Sequence, residues 1–545
     1  MMQVSSKVAA GLYKKLGLAI AISLVAHVSL RAQEPVLLTL SEMVQMVLEH
    51  NESVQVRILE AEIGRRTLAS EKGIFEPQVT GSIERVDSVR PNNAQEIASL
   101  GFSAQPFLNE RNTLYNGGIE FLSPIGTKLR TGITVRDLNN NIQTKGGELE
   151  TFAGATLTQP LLKNFGRDAT LARIRLAAVA SDIAFQEYRK QLMLVISQAE
   201  SAYWDLYLMQ QQQDIAAQSI DVAERILKDA EARKEVGKGA QVDVLQAGAA
   251  LSQRRAKYAE ARHRVIESIS RMTSYYLDAV VFTNAIVRAI DTPSIPPIAL
   301  DQLGDAQEAF SNNPDYLIRQ QRLKQDDVRY KYAKNQRLPQ VDLKGAYGFN
   351  GLGASMGRSL DMIDNFRAPV WSVGIDLTVP LLGGIKEKNE LEAAKVGKTR
   401  SMVAVDEAAV QITSALAAGL SKVRTYDENL LNHEEVAKDL QELLNAQIDK
   451  FEAGSLESRW VLETLDKWSD ARAITIEDRV QYRRSLLELE LIRGATLRNR
   501  NMEVSKADLA QKIRGVLSDS RWTTKEIKDF QQKTEAEIEK GLRPQ

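Results

Sequence analysis

Side chains that could perform acid–base, nucleophilic or metal chemistry are sparse in this sequence of 545 residues. Cysteine is absent, and His50, His263 and His433 are scattered without a metal-ligand or catalytic-triad spacing. No glycine-rich loop ends in Lys-Ser or Lys-Thr, and Gly351-Leu352-Gly353 lies in a predicted strand–strand loop rather than before a helix. The sequence therefore predicts no enzyme, no metal site and no cofactor.

Pairs of adjacent carboxylates, such as Asp326-Asp327 and Glu434-Glu435, remain as candidates for acid–base work. These two pairs lie on polar stretches with a helical pattern, where we expect a solvated helix face. Tyr203-Trp204 could line a ligand cage, but we expect these aromatic rings to pack between helices. The formal net charge of −1 leaves no electrostatic footprint for nucleic acid. We therefore expect the architecture of the chain, rather than reactive side chains, to carry its function.

A six-residue phrase occurs twice and organises the chain. It reads Leu157-Thr158-Gln159-Pro160-Leu161-Leu162 in the first half and Leu377-Thr378-Val379-Pro380-Leu381-Leu382 in the second. Alternating apolar and polar residues precede each proline, and a helical pattern follows it. Pro77 and Pro339 mark the reverse change, from a helical to an alternating pattern. We predict a junction between helix and strand at each of these four prolines.

The matching order of the junctions predicts an internal duplication. The first copy would carry about forty extra residues, which we place between about Asp87 and Leu129. Alternating residues at 115–121 and 129–135 flank a turn at 123–127, so this part of the first copy is predicted to form a hairpin. We expect the insertion at the outer-surface end of the sheet, because loops can grow freely there. Whether it adds strands to the sheet is left open by the sequence. By residue number, the predicted organisation is a signal peptide (1–32), a first repeat (33–290), a proline-rich linker (291–299), a second repeat (300–500) and a charged tail (501–545).

The N-terminus has the pattern of a secretory signal peptide. Lys7, Lys14 and Lys15 precede an uncharged run from Leu16 to Leu30, and Ala32 provides a small residue for cleavage. The run is short, which fits a signal peptide better than a membrane anchor. An exported chain without cysteine cannot use disulfides or a lipid on an N-terminal Cys, so packing alone must hold it together.

Very long helices are predicted after the repeated phrase. No Gly or Pro occurs between Gly166 and Gly237, enough residues for a helix of roughly 100 Å. Apolar positions there step by three and four: Leu192, Val195, Ala199, Ala202, Leu206, Met209, Gln213 (the one polar member), Ala216, Ile220, Ala223, Leu227 and Ala230. This period predicts a left-handed coiled coil, with a long solvated helix bundle as the alternative. We expect Gly237 and Gly454 to turn each long helix into a returning one.

The alternating stretches between the prolines predict strands with one apolar face. Four to six such strands cannot close a membrane barrel of ordinary size within one chain, and open edges are not tolerated in lipid. Several copies must contribute. Three copies with four strands each would form a twelve-stranded β-barrel continuous with a coiled-coil tunnel. The predicted fold class is mostly α with a transmembrane β-barrel.

From about Leu38 to Arg493 the sequence resembles the TolC-type outer-membrane efflux and export channels. The resemblance rests on the four proline junctions, on Ala202-Tyr203-Trp204, and on Gly237 followed by Asp243-Val244-Leu245-Gln246-Ala247. It implies a homotrimer whose barrel lies in outer-membrane lipid and whose helical tunnel crosses the periplasm. It also implies docking to a periplasmic adaptor protein and an inner-membrane transporter, with no chemistry of its own.

The resemblance further implies a gate at the glycine turns. Asp243 and Glu463 align with acidic positions of the family, and three copies of a carboxylate around one axis would attract cations. Phe451 stands where a gate tyrosine is often found, and Leu456 where an arginine could pair with the aspartate. A closed state would then depend more on apolar contact than on a salt bridge. The alternative role for Asp243 is to cap the returning helix.

A second functional hypothesis is a periplasmic coiled-coil spacer or adhesin-like protein without a pore. A plain coiled coil has no use for pairs of strands between prolines, so the strands favour the channel. The cargo, whether drug, metal or protein, is left open by the sequence.

Overall fold

The computed structural model describes residues 36–100, 106–141, 147–237, 239–276, 287–296, 301–381 and 383–518. The predicted signal peptide and most of the charged tail lie outside the described residues. The chain forms two compact units. One contains the described residues of segments 1–52, 192–302 and 416–491, and the other contains those of 53–191, 303–415 and 492–545.

Helices make up most of the described residues. They are α1 (Leu40–His50), α2 (Glu52–Lys72), α3 (Ala94–Leu100), α4 (Arg167–Thr170), α5 (Ala172–Glu235), α6 (Gln241–Thr273), α7 (Gln302–Asn312), α8 (Pro314–Gln336), α9 (Met356–Asp364), α10 (Ile385–Glu452), α11 (Ser458–Arg493) and α12 (Lys506–Ser518). The series α1, α2, α5, α6 has 11, 21, 64 and 33 residues, and the series α7, α8, α10, α11 has 11, 23, 68 and 36. Helices of matching length therefore occur in the same order in both halves of the sequence.

The predicted long helix after the first repeated phrase is confirmed as α5. Its heptad positions Leu192 to Ala230 are all buried or half-buried, including Gln213. A stretch of α10 is also apolar enough to cross a bilayer by length and composition alone. Helices in the core of soluble proteins meet the same criterion. The apolar seam explains why α5 stays unbroken over many turns, since burial of one face stabilises a helix more than propensity does.

Helix starts depend on short polar side chains. Thr39 caps α1, because its side chain accepts a hydrogen bond from the backbone of Glu42 while the Glu42 carboxylate accepts one from the backbone of Thr39 at 3.0 Å. The hydrogen bonds that its carboxylate accepts from the Thr39 backbone N–H and from the Thr39 hydroxyl lower the pKa of Glu42. Asn313 caps α8, and Pro314 occupies the first helical position.

Tyr203 joins several backbone segments in the first unit. A two-stranded parallel sheet pairs β1 (Val36–Leu38) with β6 (Val287–Ala289). The fully buried Tyr203 hydroxyl lies 2.9 Å from the Leu38 carbonyl oxygen and 3.0 Å from Asp291 Oδ2, and it accepts from the Asp291 N–H at 3.2 Å. Trp204 packs edge-on against both Tyr203 and Tyr207. The expectation that these aromatic residues serve helix packing is confirmed.

The remaining strands form one antiparallel sheet of six in the second unit, in the order β2-β3-β4-β5-β7-β8. They are β2 (Gln78–Pro91), β3 (Phe107–Leu122), β4 (Lys128–Leu138), β5 (Glu148–Pro160), β7 (Gln340–Gly353) and β8 (Pro369–Thr378). The predicted hairpin is confirmed as β3 and β4. With it, the sheet of one copy has six strands rather than the four that a twelve-stranded barrel of three copies requires.

The expected position of the extra residues at one end of the sheet is wrong, although the hairpin itself is present. The segment between Asp87 and Leu129 contains all of β3, which pairs along its length with β2 inside the sheet. The turn from β3 to β4 lies at the end of the sheet where the proline junctions are. Gly351 and Gly353 belong to β7 rather than to a loop, and a Cβ on Gly351 would lie 2.0 Å from the Ser359 carbonyl oxygen of α9.

The four predicted junctions are confirmed as boundaries between helical and β segments. Pro77 and Pro339 directly precede β2 and β7, Pro160 ends β5, and Pro380 follows β8 by two residues. The long helices begin only after a short connection, which includes α4 in the first case. After Pro160 the backbone remains hydrogen-bonded to β7, since the Leu161 N–H donates to the Val341 carbonyl at 2.8 Å.

Asn335 at the end of α8 fastens the first of these connections. Its Oδ1 accepts from the Asn164 N–H at 2.8 Å, and its Nδ2 donates to the carbonyls of Leu162 and Phe165 at 3.2 and 3.3 Å. Asn164 has a left-handed φ of 66°. Its side-chain Oδ1 in turn accepts from Gln336 at 2.7 Å. Polar side chains thus satisfy the backbone groups that the irregular connection leaves without sheet partners.

The buried hydroxyl of Tyr203 predicts a dependence of stability on alkaline pH. Burial raises its pKa to about 12 from an ordinary 10.0. A raised pKa contributes stability that is complete below the unfolded value and is lost as the pH rises through the folded one. We expect the unfolding free energy of the native protein to fall between pH 10 and pH 12 by up to about 3 kcal/mol more than that of Tyr203→Phe.

Denaturant unfolding from neutral pH to pH 12 measures this difference. At neutral pH the variant should be less stable by about 1–3 kcal/mol, because the hydrogen bonds of the hydroxyl are lost. Tyr332→Phe, at an exposed position, is the control and should follow the native protein. If the unfolding free energies of the native protein and Tyr203→Phe fell in parallel with rising pH, the raised pKa of Tyr203 would be contradicted.

Candidate functional site: a two-faced sheet and the glycine turns

The register of the six-stranded sheet separates its side chains into two faces. Residues that are directly paired across neighbouring strands share a face, so one row can be followed across the sheet. One such row runs through Ile119, Thr131, Ala155, Tyr347 and Trp371. The next row, on the opposite face, includes Glu120, Arg130 and Thr156.

The first face, called here the apolar face, is uncharged in β5, β7 and β8. Its large members are Val79, Ile83, Val89, Phe107, Tyr115, Ile119, Phe121, Leu129, Ile133, Val135, Leu149, Leu157, Val341, Leu343, Tyr347, Phe349, Trp371, Val373, Ile375 and Leu377. In the described strands its charged residues are Arg85, Asp87, Arg111 and Asp137, all in the halves of β2, β3 and β4 remote from the proline junctions.

Nothing in the described chain covers much of this apolar face. Val79 and Ile83 on β2 are 85% and 75% exposed, and Trp371 and Val373 on β8 are 73% and 69% exposed. All ten residues of β8 are exposed. Apolar area of this extent on one face of a sheet calls for an apolar environment outside the chain.

The opposite face, called here the polar face, carries paired charges. Arg136 and Glu150 lie opposite each other on β4 and β5, with Nη1 and Oε2 3.9 Å apart. Lys344 on β7 forms an ion pair with Asp376 on β8. A sheet with one face for water and one for an apolar medium matches the strand pattern of membrane barrels.

The glycine turns end the two long helices as predicted. Gly237 and Gly454 have left-handed φ angles of 71° and 78°, which a residue with a Cβ adopts only with strain. After α10, the Gly454 N–H donates to Phe451 and the Ser455 N–H donates to Lys450, both at 2.9 Å. This is the Schellman arrangement, which satisfies the last carbonyls of the helix. The helices α6 and α11 begin within four residues of these glycines.

The structure brings three of the predicted gate residues into one cleft in the first unit. Asp243, Phe451 and Gly454 line it together with Arg233. Asp243 Oδ2 accepts from the Ala240 N–H at 3.2 Å, so this carboxylate contributes to the start of α6. Gly237 and Glu463 are not among the lining residues. Glu463 is exposed, and its hydrogen bond with Lys467 at 2.8 Å lowers its pKa.

Phe451 lies inside the helical tip rather than on its surface. It is 5% exposed, and the Arg233 guanidinium lies 4.6 Å from its ring centroid. Arg233 also donates to the Phe451 carbonyl and forms an ion pair with Asp229 at 2.6 Å. Sequence reasoning missed Arg233, because nothing in the sequence indicates which side of α5 meets the end of α10.

The paired carboxylates differ in their surroundings, and Glu435 is exposed as expected for a solvated face. Asp326 is only 6% exposed and accepts from Ser401 at 2.5 Å, so the solvated-face interpretation is wrong for this residue. Lys398 and Lys331 lower the pKa of Asp327 through hydrogen bonds. Glu434 pairs with Arg479 at 2.5 Å. In the part of the chain that the structure describes, no group of three or more His, Asp or Glu side chains is placed to hold a metal ion.

Several solved channels share this fold. The outer membrane channel CmeC of Campylobacter jejuni aligns with a TM-score of 0.60 at 14% identity, over 89% of this chain and 90% of that one. VceC of Vibrio cholerae aligns with a TM-score of 0.56 at 13% identity, over 84% and 96%. The open state of the MtrE channel of Neisseria gonorrhoeae gives a TM-score of 0.54 at 15% identity, over 85% and 91%.

Residues 125–275 and 306–495 match the family model described as outer membrane efflux protein. No curated protein matches the chain. The two matched segments comprise more than half of the sequence, and each contains strands of the two-faced sheet followed by a long helix and its glycine turn. The chain therefore belongs to the outer membrane efflux protein family, with its location in the outer membrane and its helical part in the periplasm.

Proposed function

We propose that this protein is the outer-membrane channel of a tripartite efflux or type I secretion system. Three copies form a β-barrel in lipid and a helical tunnel in the periplasm. Substrates pass from an inner-membrane transporter, through a periplasmic adaptor protein, to the exterior. The observation that carries the proposal is the uncovered apolar face of the six-stranded sheet. The protein itself transports and performs no chemistry, so no cofactor is required.

The length of the apolar face supports a position in the bilayer. On β7 it runs from Val341 to Phe349, and on β5 from Leu149 to Leu157. Nine residues at about 3.4 Å each span about 30 Å, close to the thickness of a bilayer's hydrocarbon core. The charged rows lie on the polar face, where an aqueous lumen would solvate them.

A heptad stripe on α10 supports assembly into an oligomer. Val396, Val403 and Val410 recur at seven-residue intervals and are 67%, 61% and 69% exposed. Apolar residues at this spacing favour packing against another helix. Because these positions are exposed within one copy, we assign them to a helix of a neighbouring copy in the homotrimer. The recurring helix lengths likewise support the proposed duplication, with repeats at 33–290 and 300–500.

Conductance in planar bilayers tests the function. Purified protein should insert and give discrete channels, and electron microscopy should show elongated particles well over 100 Å long, as expected for helices of this length. A coiled-coil spacer would give elongated particles without conductance. Compact particles without channel activity would contradict both functions.

Two neighbouring substitutions on β8 test the orientation of the sheet. Val373→Arg places a charge on the apolar face, and Ser372→Arg places the same charge on the polar face. We expect Val373→Arg to destabilise the inserted protein by about 2–4 kcal/mol, whereas Ser372→Arg should be tolerated. Thermal unfolding in lipid and the yield in the outer-membrane fraction measure the difference. Equal effects of both variants would argue against lipid contact on the apolar face.

The cleft at the glycine turns is the proposed gate and adaptor-docking tip. Asp243→Asn retains an acceptor for the Ala240 N–H but removes the negative charge. Glu463→Gln likewise retains an acceptor for Lys467 and removes the negative charge. We expect both to reduce cation selectivity, since a ring of carboxylates attracts cations. Phe451→Ala should raise the resting conductance, because it removes the apolar ring that packs under Arg233 and closes the tip.

Reversal potentials in a salt gradient measure the selectivity, and single-channel recordings measure the resting state. Asp439→Asn, elsewhere on α10, is the control for a general effect of removing one carboxylate. Unchanged selectivity and resting conductance in all three gate variants would defeat the gate assignment and leave the channel assignment intact.

A further inference from the structure

The hairpin of β3 and β4 is the feature that separates this sheet from the expected four-stranded one. We propose that this hairpin is part of the barrel wall, so that each copy contributes six strands and three copies close an eighteen-stranded barrel. The closing contact is β2 of one copy against β8 of a second copy. The inference rests on the proposed channel function, and its test is arranged so that the two can fail separately.

Backbone pairing through the hairpin is continuous. β2 pairs with β3 from Gln78 to Pro91, and β4 pairs with β5 from Lys128 to Leu138. β2 and β5 are the strands attached to helices at the proline junctions, and the hairpin lies between them. Expelling the hairpin would require both sets of ladder hydrogen bonds to break before β2 could reach β5. Each exposed backbone group in lipid costs several kcal/mol, so the inserted arrangement is favoured.

The hairpin also carries the same two faces as its neighbours. Ile119 on β3 and Ile133 on β4 lie on the apolar face and are partly exposed, whereas Asn116 and Thr134 lie on the polar face and bond to each other at 2.9 Å. A hairpin outside the membrane would have no need for a row of exposed isoleucine. The alternation therefore extends the membrane-facing surface across all six strands.

The turn of the hairpin is fixed to the end of β5 and to the connection that follows Pro160. The Gly166 N–H donates to the Ile125 carbonyl at 3.1 Å, and Thr127 hydrogen-bonds to Gln159 at the end of β5. Gly126 has a left-handed φ of 95°, and a Cβ there would lie 2.6 Å from the Asn164 carbonyl oxygen. Glycine is the residue that permits this close approach. The hairpin is thus built into the base of the sheet rather than appended to it.

The two edges of the sheet fit a second copy of the same chain. β2 starts at the junction end and β8 returns to it, so β2 of one copy can lie antiparallel to β8 of the next with the apolar faces on the same side. β8 contains one charged residue, Asp376, which is already paired with Lys344. It lacks the charges and bulges that normally protect a free edge. An even number of strands per copy lets this contact recur around a ring.

A wider barrel follows from the strand number. Barrel diameter grows roughly in proportion to the number of strands, so eighteen strands give a barrel about one and a half times as wide as twelve. Barrels of this size leave an aqueous lumen. The added hairpin therefore enlarges the opening through the outer membrane.

Introduced cysteines give a clean test, because the native chain has none. Ile83→Cys is combined in turn with Trp371→Cys, Val373→Cys and Ile375→Cys, which cover three registers on the apolar face. Separately, a fluorophore is attached to Ile119→Cys or Ile133→Cys in vesicles that contain brominated lipid. Val373→Cys is the reference for lipid contact, and Asn116→Cys is the control on the polar face.

We expect at least one edge pair to give disulfide-linked trimers on oxidation. We also expect labels at Ile119 and Ile133 to be quenched at least as strongly as the reference, with at least a threefold smaller effect at Asn116. Quenching of the reference without quenching of the hairpin would overturn the inference and leave the channel intact. If none of the labels were quenched, the proposed function would be overturned. An electron-microscopy map with twelve strands, or no edge disulfide in any pair, would also refute the eighteen-stranded barrel.

Discussion

Backbone hydrogen bonding is the constraint on which the rest of this protein depends. A sheet that faces lipid has no water to satisfy its N–H and C=O groups, so each strand needs a partner on both sides. Within one copy, four of the six strands have both partners, and β2 and β8 have one. In the proposed channel, the exposed apolar rows and the open edges have one explanation, because lipid and a neighbouring copy would cover both.

The change from strand to helix places a second demand on the backbone. Proline ends a ladder without leaving an unpaired N–H, and this explains its place at all four junctions. The connection after Pro160 is irregular, and Asn335 satisfies its backbone groups with one side-chain amide. Farther along, α5 needs no such support, because its buried heptad seam stabilises it along its length.

Much of this arrangement could be predicted from local patterns. The prolines, the alternating strands, the heptad seam and the two glycines each produce a signal within a few residues. Features that depend on contacts distant in sequence could not be predicted in this way. Burial of Asp326 depends on Ser401, and the position of Phe451 depends on Arg233. The hairpin of β3 and β4 was predicted from its alternation, but its place between β2 and β5 depends on pairing that the local pattern does not indicate. Asn109, Glu110, Arg111 and Asn112 interrupt the alternation, so the first part of β3 gave a loop pattern.

The pairing of β5 with β7 affects how the chain must fold. The strands β2 to β5 are consecutive and can form a sheet from neighbouring segments, but β7 follows only after the whole of α5 and α6 has emerged. Until then β5 is an open edge beside an uncovered apolar face. Such long-range pairing is slow and exposes the chain to aggregation. Until the second half of the chain arrives, the first four strands are therefore the part of the sheet most exposed to aggregation.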